Sequence, residues 1–303
     1  MKYDYIIVGS GLASIMFAEQ LRLHNKSFIV ISDRSQQASV VASGLYNPVV
    51  LKRFTATWNA ATHLEIAIPK YAELEQILSL KLDYVLPIHR VFNSVKEQNN
   101  WFLACDNPFL TKFLNPKLLT NSNPSIKAPF GFGEVNFTGR IDTQTLIEAY
   151  RDFLTNSNRF FEETFTYKDI IEHSDGVEYH AIKSKNIVFT EGFGIHKNPY
   201  FKHLPLEGTK GELITILAPT LKLESILKSS IFVIPMENDR YLVGSTYEWT
   251  DKTNTPTPEA KTELLEKLSR LIDCNFEVIN QRAGIRPTVV DRRPLVGQHP
   301  NHK

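Results

Sequence analysis

The stretch Tyr5-Ile6-Ile7-Val8-Gly9-Ser10-Gly11-Leu12-Ala13-Ser14 decides how the chain is read. Four apolar, β-favouring residues run straight into two glycines, so a buried strand ends abruptly in a tight turn. From Leu12 to Leu23 the apolar positions Leu12, Ile15, Met16, Ala18 and Leu21 recur at steps of three and four, with Glu19, Gln20 and Arg22 outside them. That spacing predicts a helix with one buried face. Phe28-Ile29-Val30-Ile31 predicts a second buried strand, stopped by Ser32-Asp33. Strand, glycine turn, helix and strand within about thirty residues are the setting in which a G-x-G-x-x-G-like motif binds a dinucleotide.

In that setting each residue has a physical task. Gly9 allows the turn, Gly11 lets the backbone approach a pyrophosphate, and Ser14 stands where Gly or Ala usually serves helix–strand packing. Ser10, Leu12, Ala13 and Ser14 complete the run whose exposed N–H groups attract an anion to the helix start. An acidic residue about 20 positions after the glycines is expected to bind the adenosine ribose. Ser32 directly follows the strand and Asp33 comes next, with Arg34 beside them. The ribose partner is therefore either the Asp33 carboxylate or the Ser32 hydroxyl; the bland alternatives are a solvated Asp33 and an empty packing turn.

Working outward, the whole chain has 303 residues, with 34 Lys+Arg against 33 Asp+Glu and a formal charge of +1. That length suffices for one large domain or two ordinary ones. Apolar residues at 42% and charged residues at 22% exclude a disordered or fibrous chain. The balanced charge gives no electrostatic reason for a nucleic-acid or anionic-membrane partner. Cys105 and Cys274 are the only cysteines, which excludes a disulfide framework, and the nine histidines show no ligand spacing, so no metal is expected. No run approaches 18 apolar residues and the first apolar run is too short for a signal peptide, so a cytoplasmic protein is expected. Trp58, Trp101 and Trp249 read as core or pocket wall rather than a stacking platform.

After the second strand comes Ala38-Ser39-Val40-Val41-Ala42-Ser43-Gly44-Leu45-Tyr46-Asn47-Pro48, a loop of small residues held close to something. Here the sequence resembles the D-amino-acid-oxidase and glycine-oxidase family of FAD-dependent oxidoreductases, including the oxidoreductase domain of a bifunctional tRNA-modifying enzyme. The resemblance implies FAD as cofactor. It places Ser39, Ala42, Ser43, Gly44 and Leu45 along the pyrophosphate and beside the flavin. Gly139-Arg140-Ile141-Asp142-Thr143 and the helical Leu146–Leu154 are similar to the family's segment re-entering the cofactor domain. Phe161–Thr166 and Ile187–Gly192 resemble two strands flanking the adenosine, with Thr166 giving backbone contacts to adenine and Gly192 a close approach. Glu191 departs from the small or hydroxylic residue usual before that glycine.

Ala283-Gly284-Ile285-Arg286-Pro287-Thr288, continuing to Asp291, Pro294, Leu295, Val296 and Gly297, resembles the family's Gly-Leu-Arg-Pro motif, whose arginine binds the substrate carboxylate. A planar guanidinium suits that task, because it grips a carboxylate through two parallel hydrogen bonds. The competing reading of Arg286 is a surface arginine paired with Asp291. Ile231–Pro235 and Arg240–Tyr247 predict a hairpin around Glu237-Asn238-Asp239. Family amino-acid oxidases carry a pocket-closing tyrosine near its start. Phe232 holds that place without a hydroxyl, and Tyr247 either supplies one from the opposite strand or packs.

The expected architecture is α/β: a Rossmann-like FAD-binding domain from residues 1–80, 140–195 and 280–303, interleaved with an α+β substrate domain from 81–139 and 196–279 built on an antiparallel sheet. Residues 58–80 suit a helix, with Ala61, Leu64, Ile68, Tyr71, Leu74 and Leu78 near one face. The expected reaction is oxidation of a C–N bond in a small amine or amino acid by hydride transfer to flavin N5, with the carboxylate on Arg286 and no side-chain base required. The rivals are a scaffold that binds FAD weakly or not at all, and an NAD(P)-dependent reductase. The oligomeric state is open. The resemblance also implies a further strand, glycine-rich turn and helix beyond Gly297, so the chain reads as C-terminally truncated, with weakened flavin binding expected.

Overall fold

The structure is a computed structural model describing residues 2–302. Strand β1 (Lys2–Val8), helix α1 (Leu12–Leu23) and strand β2 (Phe28–Ile31) follow in the expected order. β1 begins before its apolar run because parallel pairing with the strand Ile182–Phe189 starts at Lys2↔Lys183. The resulting six-stranded sheet has the order Phe160–Phe161, β2, β1, Ile182–Phe189, Gly176–Tyr179, Ile170–His173. Its first three pairings in that order are parallel and its last two antiparallel. Both faces are covered. Ile7, Phe28 and Val30 pack on Ile15, Ala18, Leu146, Ile147 and Tyr150, and Ile6, Val8, Ile29 and Ile31 pack on Phe165, Val177 and Tyr179. Burial on two faces explains why these strands read as unbroken apolar runs rather than alternating ones.

The second sheet has seven strands in the order Glu277–Val289, Leu206–Leu217, Arg240–Gly244, Phe232–Pro235, Ile226–Lys228, Ile88–Val91, Phe132–Val135. All its pairings are antiparallel except that of Ile226–Lys228 with Ile88–Val91. One face buries Ile214, Ile216, Val233 and Val243 against Leu264 and Leu268 of the helix Pro258–Ser269. The other buries Leu213, Phe232, Ile234 and Leu242 with Ile88, Phe92 and Trp101. Residues 280–289, which the sequence places with the cofactor segments, pair here with the strand Leu206–Leu217.

Several local expectations are corrected. Ala38–Val41 is one helical turn rather than loop, and Leu45–Tyr46 pairs with Gly139–Ile141. Of Phe161–Thr166 only the start is strand; Phe160–Phe161 pairs with β2, and the chain then turns into a short 3-10 segment at Tyr167–Asp169. The hairpin strand ends at Gly244, so Tyr247 lies beyond it and is exposed. Trp101 is core, whereas Trp58 and Trp249 are about half exposed. The helix expected over 58–80 spans Ala60–Leu78.

Candidate active site

The glycine turn is built by steric need. Gly9 has φ +106°, and a Cβ there would lie 2.6 Å from the Thr190 carbonyl oxygen. Only glycine accepts both conditions. Thr190 is held in place because its N–H and its hydroxyl both donate to the Val8 carbonyl, at 2.8 and 2.9 Å. Gly11 is the N-cap of α1 and, lacking a side chain, makes no cap hydrogen bond to that helix. Ser39 comes over the turn, its Oγ 3.4 Å from the Leu12 N–H that donates to it. A helix start with open N–H groups, reached through glycine backbone, is an anion cradle. Ser14 is buried, as helix–strand packing requires.

At the expected ribose end the candidates separate. Ser10 Oγ donates to Ser32 Oγ at 3.0 Å, and the Arg34 N–H donates to the same oxygen at 3.2 Å. Asp33 is engaged elsewhere, accepting from the Ser35 N–H at 2.9 Å and the Thr164 hydroxyl at 3.1 Å. Burial works to raise the Asp33 pKa, but these bonds outweigh it and hold the carboxyl below its ordinary value. The Arg34 guanidinium pairs with Glu162 at 2.7 Å and lies over the Phe160 ring. Ser32 is therefore the member of this trio joined to the glycine turn.

Ala42, Ser43, Gly44 and Leu45 are tied to the segment around Asp142. The Thr143 hydroxyl donates to the Ala42 carbonyl at 3.3 Å, the Ile141 N–H donates to the Gly44 carbonyl at 3.0 Å, and Leu45 pairs with Arg140. Ser43 is half-buried between them. Two motifs a hundred residues apart in sequence thus form one surface, which continues to Ser39 above the turn.

Thr166 has both backbone groups engaged: its N–H donates to the Tyr179 hydroxyl at 3.2 Å, and its carbonyl accepts from Asp169. Among the described residues the backbone of the preceding Phe165 carries no hydrogen bond. Thr166 instead lines a cavity of about 740 Å³ with Phe165, Tyr167, Tyr200, His299 and His302. Glu191 acquires a physical role. It accepts hydrogen bonds from the Tyr167 hydroxyl and, at 2.7 Å, from Asn198 Nδ2. Burial pushes its carboxyl above the ordinary value, against those two donors. Gly192 faces the Pro287 side chain, so the end of the strand Ile182–Phe189 meets the Arg286 motif.

Arg286 is half-buried on the strand Glu277–Val289, opposite Thr209. Its two terminal nitrogens each donate to the Thr246 carbonyl at 3.4 Å, and its guanidinium stacks 4.7 Å from the Tyr247 ring centroid. The floor beneath it is Gly211: a Cβ there would fall 1.9 Å from Nη2. Thr246 is itself braced, since its hydroxyl accepts the Glu212 N–H at 2.9 Å. No carboxylate pairs with Arg286 among the described residues. The alternative partner Asp291 lies 4.0 Å from Arg293 instead. Burial lowers the Arg286 pKa while Tyr247 opposes the shift. Phe232 does not join this group directly. Its ring packs in the apolar cluster beside Gly244, two residues before Thr246.

Gly211, Thr246 and Arg151 also belong to the site region. Gly211 and Thr246 carry no local motif and matter only through strand register. Arg151, buried on the helix Thr143–Asn156, donates from Nε to Ser10 Oγ at 3.0 Å. Its one sequence signal is a charged residue within the apolar face of a helix.

Among the described residues no helix is long and apolar enough to cross a membrane, and no group of three or more His, Cys, Asp or Glu could hold a metal ion. The parallel β–α–β unit, its glycine turn and its uncapped helix start define the class: an α/β dinucleotide-binding protein. The family profile described as FAD dependent oxidoreductase (DAO) matches residues 4–303. The chain belongs to that family, and FAD is its cofactor; the turn, the helix start and the loop at Ser39 fit it.

Glycine oxidase of Bacillus subtilis is 22% identical over 57% of this chain and 51% of its own length. The tRNA 5-methylaminomethyl-2-thiouridine biosynthesis bifunctional protein MnmC of Campylobacter jejuni subsp. doylei is 26% identical over 96% of this chain and 45% of its own. The chain thus spans about half the length of the curated relatives it matches. Among solved structures, glycine oxidase from Geobacillus kaustophilus aligns over 100% of this chain and 87% of its own, with a TM-score of 0.84 and 17% identity. Iminodiacetate oxidase from Chelativorans sp. BNC1 aligns over 98% and 87%, with a TM-score of 0.78 and 15% identity.

Proposed function

We propose that this FAD-dependent oxidoreductase oxidises a C–N bond of a small amine or amino acid whose carboxylate binds Arg286. The observation that carries the reading is the Arg286 guanidinium. It is half-buried, it has no carboxylate partner among the described residues, and it is aimed by the Thr246 carbonyl and the Tyr247 ring over a glycine floor. A buried charge without a counter-ion is costly, and a bidentate carboxylate removes that cost. FAD, when bound, supplies the two-electron acceptor. Arg286 binds and orients the substrate, Tyr247 and Thr246 fix the angle of the guanidinium, and a substrate entering as the neutral amine requires no side-chain base. The relatives named glycine oxidase and iminodiacetate oxidase act on carboxylate-bearing amines, which agrees with this reading.

A second reading, a glycine-like amine carried on a larger molecule, has two supports. Tyr247, stacked on Arg286, is 62% exposed, so the site opens to solvent on an aromatic side. The extended match to the protein named for tRNA 5-methylaminomethyl-2-thiouridine biosynthesis points the same way. The test is anaerobic bleaching of the flavin absorbance by glycine, sarcosine, D-amino acids, cyclic imino acids and an N-substituted glycine bearing an aromatic base. Bleaching by a free amino acid that Arg286→Ala loses supports the first reading. Bleaching by the base-linked amine alone supports the second. An Arg286→Ala variant with unchanged substrate affinity refutes both.

A further inference from the structure

The ribose end of the cofactor cradle holds a charge that no motif accounts for. Arg151 is 7% exposed, on the helix Thr143–Asn156 that packs on α1. Its Nε donates to Ser10 Oγ at 3.0 Å, and Ser10 Oγ donates in turn to Ser32 Oγ at 3.0 Å. Ser10 is the middle residue of the glycine turn, and Ser32 stands where the strand-end acid is expected. Arg151 forms no ion pair among the described residues. The carboxylates acting on it are Glu148 on its own helix and Glu162, and Glu162 is already paired with Arg34 at 2.7 Å. Asp33 is turned away to Ser35 and Thr164. A guanidinium this deep, with a hydroxyl as its acceptor, leaves a net positive charge against the turn.

We infer that Arg151 supports cofactor binding through Ser10: with Ser10 and Ser32 it replaces the strand-end carboxylate and makes this end of the cradle select the cofactor's phosphates rather than its ribose hydroxyls. The inference rests on Gly9–Ser14 being the phosphate cradle. It adds what the glycines cannot supply, a full positive charge fixed to the turn through Ser10. An acid at position 32 would pair with Arg151 and cancel that charge. The expectation is therefore opposite to the usual one: restoring the acid weakens binding.

The test is FAD titration of the full chain, followed by quenching of flavin fluorescence at low and high NaCl, with ADP and adenosine as competitors. The wild-type chain is expected to bind FAD more weakly at high salt. Arg151→Gln should lose about tenfold in affinity and flatten the salt dependence, as removal of a fixed positive charge beside an anion does. Arg151→Lys should keep the salt dependence. Ser32→Asp should weaken FAD binding, and ADP but not adenosine should compete less well in Arg151→Gln. Urea unfolding of each variant separates a binding loss from a folding loss, and Ser32→Asp keeps the question open to test if Arg151→Gln does not fold. Wild-type binding left unchanged by Arg151→Gln, or tightened by Ser32→Asp, overturns the inference while sparing the cradle. A wild-type chain that binds no FAD overturns the cradle and the inference together.

Discussion

Gly211→Ala is the sharpest probe of the site, because it adds one methyl group at one identifiable place. The new Cβ would lie 1.9 Å from Arg286 Nη2, 2.2 Å from Cζ and 2.3 Å from Nη1. Non-bonded heavy atoms settle at about 3.5–4.0 Å, so the guanidinium must move by roughly 1.5 Å. The restraints it would break are weak. Both hydrogen bonds to the Thr246 carbonyl are 3.4 Å long, beyond the usual 2.9–3.0 Å, and the Tyr247 contact is a stacking one. The side chain should therefore yield before the backbone, and the stability cost should sit near the low end of overpacking, about 1 kcal/mol. The functional cost is larger, since a shift of about 1 Å in a positioning group can cost about a hundredfold. The assay pairs a carboxylate-bearing amine with its decarboxylated counterpart in anaerobic flavin reduction, alongside urea unfolding. The expected result is a loss of about a hundredfold for the carboxylate substrate, mainly in KM, with little change for the other. Equal losses for both amines, or none for either in a folded variant, would refute the placement of Arg286 as the carboxylate anchor.

Other variants test the frame around the site. Lys210 is fully buried and holds Asp251 and the Thr255 carbonyl, pinning the loop that follows Thr246 and Tyr247. Lys210→Met leaves the buried Glu212 without its cation and should cost about 3 kcal/mol in urea unfolding; a loss under about 1 kcal/mol would contradict the network. The hydrogen bond from Lys210, with those of Thr253, lowers the Asp251 carboxyl to about 2. Its contribution is therefore complete above the ordinary value of 3.8 and is lost as pH falls toward about 2. Wild type should lose more stability across that window than Asp251→Asn, and parallel pH profiles would count against the pairing. Glu191 is pushed upward by burial, so its ionised form is disfavoured in the fold. Glu191→Gln should match or exceed wild-type stability at neutral pH, whereas Glu191→Ala, which strips Asn198 and Tyr167 of their acceptor, should lose about 1–3 kcal/mol by thermal unfolding. Equal behaviour of the two variants would argue against that account.

The legible parts of the fold were those whose signal is local. The limits of α1 and β2 follow directly from apolar spacing and punctuation by Gly9, Gly11, Ser32 and Asp33. An apolar run does not show where pairing begins, so β1 starts before its apolar run. Ala38–Val41 looked like a loop because four residues are too few for a helical period; the turn forms where Ala38 and Val41 pack against Gly284, far along the chain. Only a resemblance of short segments points to Thr166, and both of its backbone groups are engaged within the fold.

The sequence by itself determined the dinucleotide-binding unit, because Gly9 and the uncapped start of α1 act within about thirty consecutive residues. The resemblance of its Gly284–Pro287 run to the family's Gly-Leu-Arg-Pro motif also pointed to Arg286, whose guanidinium suits a carboxylate. Only the tertiary structure decided what surrounds these residues. Register between Leu206–Leu217 and Glu277–Val289 puts Gly211 beneath the Arg286 guanidinium, and the end of the hairpin brings the Thr246 carbonyl to it. Helix packing carries Arg151 to Ser10, 141 residues away in sequence. Charge at a site depends on distance through space, and distances of that kind are not written in the order of residues along the chain.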